Sequence, residues 1–392
     1  MATVELEKVR KTYGKTLALD ELSLHLADGE FFVLLGPSGA GKTTTLKSVA
    51  GLQEVDAGRI LIGGTDMTQV EPYERNVAMA FESYALYPQK TVFDNLASPL
   101  RSGRTGRYTA RQQSERIEAV TTTLGIDTLL KRFPRELSNG QRQRVALGRV
   151  LVRPADVYLL DEPLSHLDAK LRAAMRAELK SLGELSSTTT FYVTHDYQEA
   201  LALGDRIGIL RAGTLVQVGT PQQVWSQPVD TFAAKALGQP EINLLDGEVV
   251  DGRIVAAGGS VTVPAPEPGL PPGTPVRLGL RPRDLELTGA DPTGPRKTPE
   301  AADTLVVPGK VRLAERLGRL VELSVDIDGA ELIVVSSSDR APAEGDTVRL
   351  AVPLDLVHVF AGGERGEETA RLGSAAPPRT DTDRPQPAQE TR

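Results

Sequence analysis

The chain has 392 residues, more than one typical domain, and its 45 basic and 52 acidic side chains give a net charge of −7. That balance supplies no general electrostatic reason to bind nucleic acid or anionic lipid. The absence of cysteine excludes disulfides, thiolate metal sites and thiol nucleophiles, and the four histidines, His25, His166, His195 and His358, lack the close spacing of a zinc motif.

The stretch Met1 to Leu6 has neither the basic nor the apolar region of a secretory signal. No apolar run approaches the roughly 20 residues of a bilayer span. The chain is therefore read as cytosolic, with any membrane association made through protein partners. Over residues 1–240 short apolar runs alternate with helical stretches, which predicts an α/β domain. Phe31 to Leu35, Val157 to Leu160 and Phe191 to Thr194 read as strands buried on both faces of a parallel sheet. Between about Val92 and Arg135 the strand signal disappears, and Ser114 to Val120 reads as helix, so a helical insert is expected there.

Gly36-Pro37-Ser38-Gly39-Ala40-Gly41-Lys42-Thr43 fills the phosphate-loop pattern GxxxxGK[ST], between the apolar run ending at Leu35 and a helical stretch from Thr44 to Ala50. Glycine lets the backbone wrap closely around phosphate oxygens, and the amides of the loop and helix start aim partial positive charge at an anion. In such a loop Lys42 reaches the terminal phosphates and the Thr43 hydroxyl is a ligand for Mg²⁺. The loop alone implies a bound nucleoside triphosphate and no more. Val157 to Glu162 is a buried strand ending in two acids, which would be costly without a cation or hydrogen-bond partners. Beside the phosphate loop, Asp161 is expected to hold Mg²⁺ directly or through water, and Glu162 to polarise an attacking water as general base. His195, at the exit of the strand Phe191 to Thr194, is positioned to sense the terminal phosphate.

Leu137-Ser138-Asn139-Gly140-Gln141, followed by the helical stretch to Leu147, resembles the LSGGQ signature of the ABC ATPases. The order phosphate loop, signature, acidic strand, Ser165-His166-Leu167-Asp168 and His195 matches the family set over residues 3–240. The resemblance implies an ATPase that uses ATP and Mg²⁺ and works as a head-to-tail pair, homodimer or paired paralogue, with two ATP molecules sandwiched between phosphate loop and partner signature. It assigns nucleotide contacts to Tyr13, which would stack on adenine, to Gly36 through Thr44, and to Ser138, Gly140, Gln141 and Asp168. Phe81 to Pro88 resembles the segment that in importers lines the groove for a coupling helix of the membrane subunit. Glu82 stands where the family has the glutamine that touches Mg²⁺ and attacking water, and Asn139 where it has glycine.

After about Gly238 proline and glycine become frequent. Val321, Leu323, Val325 and Ile327 alternate with polar residues, Asp328-Gly329 is a turn signal, and Leu332 to Val335 follows, so a hairpin in an all-β domain over 241–362 is expected. Residues 363–392, with almost no large apolar side chains, read as a disordered tail. Gly238 to Leu245 and Leu278 to Leu285 resemble landmarks of the OB-like (TOBE) regulatory domain of the maltose-importer ATPase and its relatives, with Arg283 where the family has glutamate. By that resemblance the chain energises import of a sugar, polyol or glycerol-phosphate-type solute. It would do so from the cytoplasmic face of the membrane, with two permease subunits and an extracytoplasmic solute-binding protein. A polyamine or ferric-ion importer, a soluble non-transport ABC ATPase and a non-hydrolysing partner subunit are the alternatives.

Overall fold

The computed structural model describes residues 2–81, 85–101, 108–165, 167–186, 188–266, 269–288, 303–338, 341–364 and 366–376, with only the backbone described over 181–186. The chain divides into two compact units, Met1–Val224 and Trp225–Arg392.

The first unit contains two sheets. Strands β1 (Val4–Tyr13) and β2 (Thr16–Leu26) pair antiparallel, and with β4 (Ala57–Ile62) and β5 (Thr65–Asp66) form a sheet of order β2-β1-β4-β5. The other sheet has the order β10-β9-β3-β8-β7-β6, built from β3 (Phe31–Leu35), β6 (Val77–Ala80), β7 (Val157–Asp161), β8 (Thr189–Thr194), β9 (Arg206–Arg211) and β10 (Thr214–Gly219). All its pairings are parallel except β9 with β10. Every residue of β3, β7 and β8 is buried, which is why these strands read as unbroken apolar runs rather than alternating ones. Phe32, Leu34, Leu159, Phe191 and Val193 join Leu6, Leu22 and Ile60 of the antiparallel sheet in one apolar cluster, and the helix α1 (Lys42–Val49) packs into it through Leu46 and Val49.

The helical insert is present as α2 (Val92–Arg101) and α3 (Ala110–Thr123), followed by α4 (Asn139–Leu151), which packs on α2. Asn95, fully buried, organises the turn ahead of α2. Its amide nitrogen donates to the carbonyls of Tyr87, Lys90 and Thr91, and its oxygen accepts from Tyr87 N. Helices α5 (Ala169–Ser186) and α6 (Tyr197–Leu203) complete the unit's layers around the sheet.

The second unit is dominated by two antiparallel sheets around a shared apolar core, the all-β architecture expected from the sequence. The anticipated hairpin pairs Leu320–Ile327 with Ala330–Ser337. Its turn residues Asp328 and Gly329 both have positive φ, 47° and 89°, as a tight two-residue turn requires. Val321, Leu323, Val325 and Ile327 are buried.

Two boundaries differ from expectation. The division falls after Val224 rather than near residue 240, because Trp225 to Leu237 is bound to the second unit. The buried Arg281 guanidinium lies 3.9 Å from the Trp225 ring centroid and donates to the carbonyls of Trp225 at 2.9 Å and Leu237 at 3.1 Å. The expected tail is ordered as far as residue 376, where strand Arg371–Ser374 pairs with His358–Ala361. The segment before it is clamped by the buried Arg277, which donates to the carbonyls of Gly363, Glu364 and Glu367 at 2.6, 2.6 and 2.8 Å. Residues 377–392 lie outside the described residues.

His358 is buried, its Nδ1 has no hydrogen-bond partner among the described residues, and its pKa is pushed down from 6.5 to about 3 by burial first and then by Arg281 and Arg371. The folded state thus refuses a proton that the unfolded chain accepts below pH 6.5. Stability is fully present above that pH and falls as pH drops toward 3, by about 1.4 kcal/mol per pH unit for one such group. In H358Q the decline of melting temperature between pH 7 and 5 is expected to be shallower than in the native chain. Parallel melting curves would refute this account. A chain cut after Val224 is expected to remain soluble and free of aggregates in the absence of nucleotide. One cut after Gly238 retains Trp225 and Thr231–Ala236 without Arg281 and is expected to aggregate, and equal sedimentation behaviour would argue against the boundary at residue 224.

Candidate nucleotide site

Strands β3, β8 and β7 are neighbours, with Leu35 beside Thr194 and Asp161 beside Val193, so the residues that follow them emerge along one edge of the sheet. From β3 come Gly36 to Gly41, from β7 Glu162, and from β8 His195.

The loop after β3 is held by short-range backbone geometry. Gly36 N donates to Thr194 O at 3.3 Å, and a Cβ at Gly36 would lie 2.5 Å from Leu210 O. Gly41 has φ of 107°, and a Cβ there would lie 2.6 Å from Ala18 O, so both positions demand glycine. Ala40 N donates to Pro37 O and Ala40 O accepts from Gly213 N, while Ser38 and Gly39 are exposed. Gly41 is the N-cap of α1 and offers no side-chain cap, so the first amides of α1 and the positive end of its dipole face outward as an anion site. Thr44 lies in the first turn of this helix.

Lys42 is only 5% exposed, and its Nζ donates to Gly36 O at 2.8 Å and Pro37 O at 3.0 Å. It also stands 3.4 Å from Glu162 Oε1. Thr43 Oγ donates to the buried Asp161 at 3.0 Å. Glu162 Oε2 lies 2.8 Å from His195 Nδ1. The carboxylate therefore bridges the lysine ammonium and the imidazole. Glu162 also has φ of 44°, a left-handed conformation that costs a non-glycine residue about 1–3 kcal/mol. The conformation is held from both sides: Glu162 N donates to Val193 O, and Glu162 O accepts from Ser165 Oγ at 2.9 Å.

Lys42, Thr43, Asp161, Glu162 and His195 are thus brought together with the glycine loop. Thr43 and Asp161 supply two hard oxygens side by side, a donor set that suits Mg²⁺, which retains waters and takes further ligands from phosphate. Tyr13, Ser138, Gly140, Gln141 and Asp168 are engaged elsewhere. Tyr13, 44% exposed, donates its hydroxyl to Gln53 Oε1 at 2.9 Å. Ser138 is the N-cap of α4 in a reciprocal capping box with Gln141. Gly140 faces Leu167, whose Cδ2 would be 3.2 Å from an added Cβ. Asn139 Oδ1 accepts from the Arg142 guanidinium. Asp168 Oδ1 accepts from Leu171 N at 2.9 Å at the start of α5. Glu82 lies outside the described residues.

Two buried ionic residues around the site carry no motif. Glu199 accepts from the hydroxyls of Tyr192 at 2.8 Å and Thr194 at 2.7 Å, on the strand that leads into His195, and burial raises its carboxyl pKa. Arg75 donates to the last carbonyls of α1, Ser48 O at 2.9 Å and Val49 O at 3.0 Å. The apolar run before His195 and the lone arginine before Asn76 gave no signal of either contact.

Residues 19–165 match the ABC transporter family model and residues 278–360 that of the TOBE domain. The trehalose/maltose import ATP-binding protein MalK of Thermococcus litoralis is 42% identical, the match covering 92% of this chain and 98% of that protein. The sn-glycerol-3-phosphate import ATP-binding protein UgpC of Cereibacter sphaeroides is 40% identical, with the same coverage of both chains. Among solved structures, the dimeric bacterial ABC transporter cassette MJ0796 superposes with a TM-score of 0.52 at 29% identity, over 56% of this chain and 98% of that one. The same cassette bound to ADP and phosphate matches with equal TM-score at 28% identity. With a phosphate loop, a carboxylate–imidazole pair and an acidic strand end on one sheet edge, and with relatives alike along almost their whole length, the chain belongs to the ABC transporter ATP-binding family, the ATP-hydrolysing subunits of importers.

Proposed function

We propose that Glu162 is the general base of ATP hydrolysis, with His195 holding its carboxylate and Lys42 charge-compensating the transferred phosphoryl group. The reading rests on one observation above all: Glu162 stands between His195 Nδ1 at 2.8 Å and Lys42 Nζ at 3.4 Å, beside an outward-facing helix start. Water gives a proton to the Glu162 carboxylate as its oxygen bonds to the γ-phosphorus, and the bond to the bridging oxygen breaks to release ADP. Thr43 and Asp161 would hold Mg²⁺, which would neutralise charge on the phosphate oxygens.

The chain works, on this reading, as a pair in which Ser138, Gly140 and Gln141 meet the nucleotide held by the other subunit, with Tyr13 against adenine. Ser138 and the first amides of α4 form a second exposed helix start suited to phosphate. No helix among the described residues is long and apolar enough to cross a membrane. As in import ATP-binding subunits, the pair would sit peripherally on the cytoplasmic face, beneath two permease subunits that receive solute from an extracytoplasmic binding protein. A cavity of about 160 Å³, lined by Met79, Phe81, Ala85, Pro99, Ala146 and Arg149, supports docking of a permease element there. The relatives named for trehalose/maltose and sn-glycerol-3-phosphate import favour a polyhydroxylated solute, either a sugar, a polyol or a glycerol phosphate.

Glu162→Gln is expected to retain ATP binding and lower steady-state hydrolysis by about 10²-fold or more, because the amide accepts no proton from water. Turnover near the native rate would remove Glu162 from this role. The two departures from the family pattern give a second test. Asn139 is paired with Arg142 at the exposed end of α4, and Glu82 puts a carboxylate where the family pattern has a neutral glutamine. Asn139→Gly and Glu82→Gln are each expected to leave hydrolysis equal or modestly faster. Absence of hydrolysis in the native chain and both variants, with nucleotide binding intact and permeases supplied, would favour a non-hydrolysing partner.

A further inference from the structure

His195 lies in a turn that is fastened on both sides. On the strand side, Thr194 Oγ donates to Glu199 Oε2 at 2.7 Å and accepts from Asp196 N at 3.0 Å. Tyr192 donates to the same Glu199 oxygen at 2.8 Å. On the helix side, Asp196 is the N-cap of α6, and its Oδ1 accepts from Gln198 N at 2.8 Å. Glu199 is 2% exposed, and its other oxygen faces Arg172 Nε at 4.0 Å.

Arg172 does not belong to this turn. It sits in the first turn of α5, immediately after the segment Ser165 to Asp168. Its Nη1 reaches across to Asp196 Oδ2 at 3.2 Å, while Nη2 donates back to Leu167 O at 3.2 Å. One planar guanidinium thus spans two segments far apart in sequence. One segment carries the histidine that contacts the base, and the other follows the acidic strand. Arginine supplies this bridge because its donors form a rigid fork, whereas an ammonium is a single point charge. The contact is half-buried, with Arg172 30% and Asp196 18% exposed.

We propose that Arg172 is a positioning residue that joins the Leu167 segment to the His195 turn, so that movement of either is passed to the other and the His195–Glu162 contact is set by both. The proposal rests on the assignment of Glu162 and His195 to hydrolysis made above. Ser165 strengthens the connection, since its hydroxyl donates to Glu162 O at 2.9 Å. The same short segment therefore touches the base through its backbone and the histidine turn through Arg172.

The test uses the full chain and Mg-ATP. Arg172→Met is expected to lower kcat by about 10-fold or more with KM for ATP little changed, the pattern of a lost alignment rather than lost binding. Arg172→Lys is expected to stay low, because one ammonium does not serve both Leu167 O and Asp196; full rescue by lysine would overturn the bridge. Asp196→Asn separates the ion pair from folding, since asparagine caps a helix as well as aspartate does. It is expected to lower kcat similarly, and Arg172→Met with Asp196→Asn to be no worse than Arg172→Met alone. Additive losses, or native kcat in both single variants, would overturn the proposal, and Asp196→Asn decides the matter if Arg172→Met does not fold. Imidazole NMR supplies a readout that a purely structural role would leave unmoved. With four histidines in the chain, His195 is assigned through His195→Ala, and its ring resonances are expected to move in Arg172→Met, which leaves the residues flanking His195 unchanged. An inactive His195→Ala beside native Arg172 and Asp196 variants would reject this bridge alone, whereas an active His195→Ala would reject the hydrolytic role of His195 itself.

Discussion

Leu35 pairs with Thr194 and Asp161 with Val193, and the whole candidate site hangs on that register. Parallel strands deliver their carboxyl ends to one edge, so three loops distant in sequence begin within reach of each other. A slip of one residue in either pairing would turn the strand's side chains over to the opposite face of the sheet. Both faces of β3, β7 and β8 are buried, so such a slip is opposed by the close packing of differently shaped side chains on each face. That packing fixes the relative positions of the glycine loop, Glu162 and His195.

Each charged group at this edge has local partners. The buried Lys42 ammonium is met by two carbonyls and by Glu162, and the buried Asp161 carboxylate by the Thr43 hydroxyl. Each group would be costly in isolation, and removing one partner costs more than the pair contributes. Glu162 carries a further cost in its left-handed backbone. Strain of this kind persists only where neighbours over-determine it, and here Val193 and Ser165 do so. The Glu162 backbone is thus held by these contacts, leaving its carboxylate to interact with the lysine and the imidazole.

What was legible in the sequence was local. The phosphate loop, the acidic strand end and the hairpin around Asp328-Gly329 each lie within a short segment whose residue types dictate its conformation. The errors arose where order is imposed from a distance. Residues 363–376 carry little apolar surface of their own, but Arg277, some 90 positions earlier, satisfies their carbonyls. Trp225 to Leu237 reads as the end of the first domain until Arg281 is seen against it. The contacts of Arg172, Arg75 and Glu199 belong to the same class, since each reaches groups on another segment. A long side chain with several hydrogen-bonding groups gives no periodic signal of which backbone it will meet.

Helix α1 shows how such an unsignalled residue bears on function. Its two ends are treated in opposite ways. The amino end has a glycine cap with no side-chain acceptor, leaving its amides for an anion. At the carboxyl end the last carbonyls, of Ser48 and Val49, accept from the buried Arg75 guanidinium, which also donates to Val70 O at 2.9 Å. A cation at the negative end of a helix stabilises its dipole, so Arg75 supports the same field that draws phosphate to the far end. Its approach demands glycine at position 51, where a Cβ would lie 2.5 Å from Arg75 Nε. Arg75 also stands directly before Asn76 and β6, the strand that runs to Phe81 at the wall of the proposed permease groove. Helix α1 is therefore anchored at its rear to the segment that leads into that proposed groove, giving a short covalent and hydrogen-bonded route between the two.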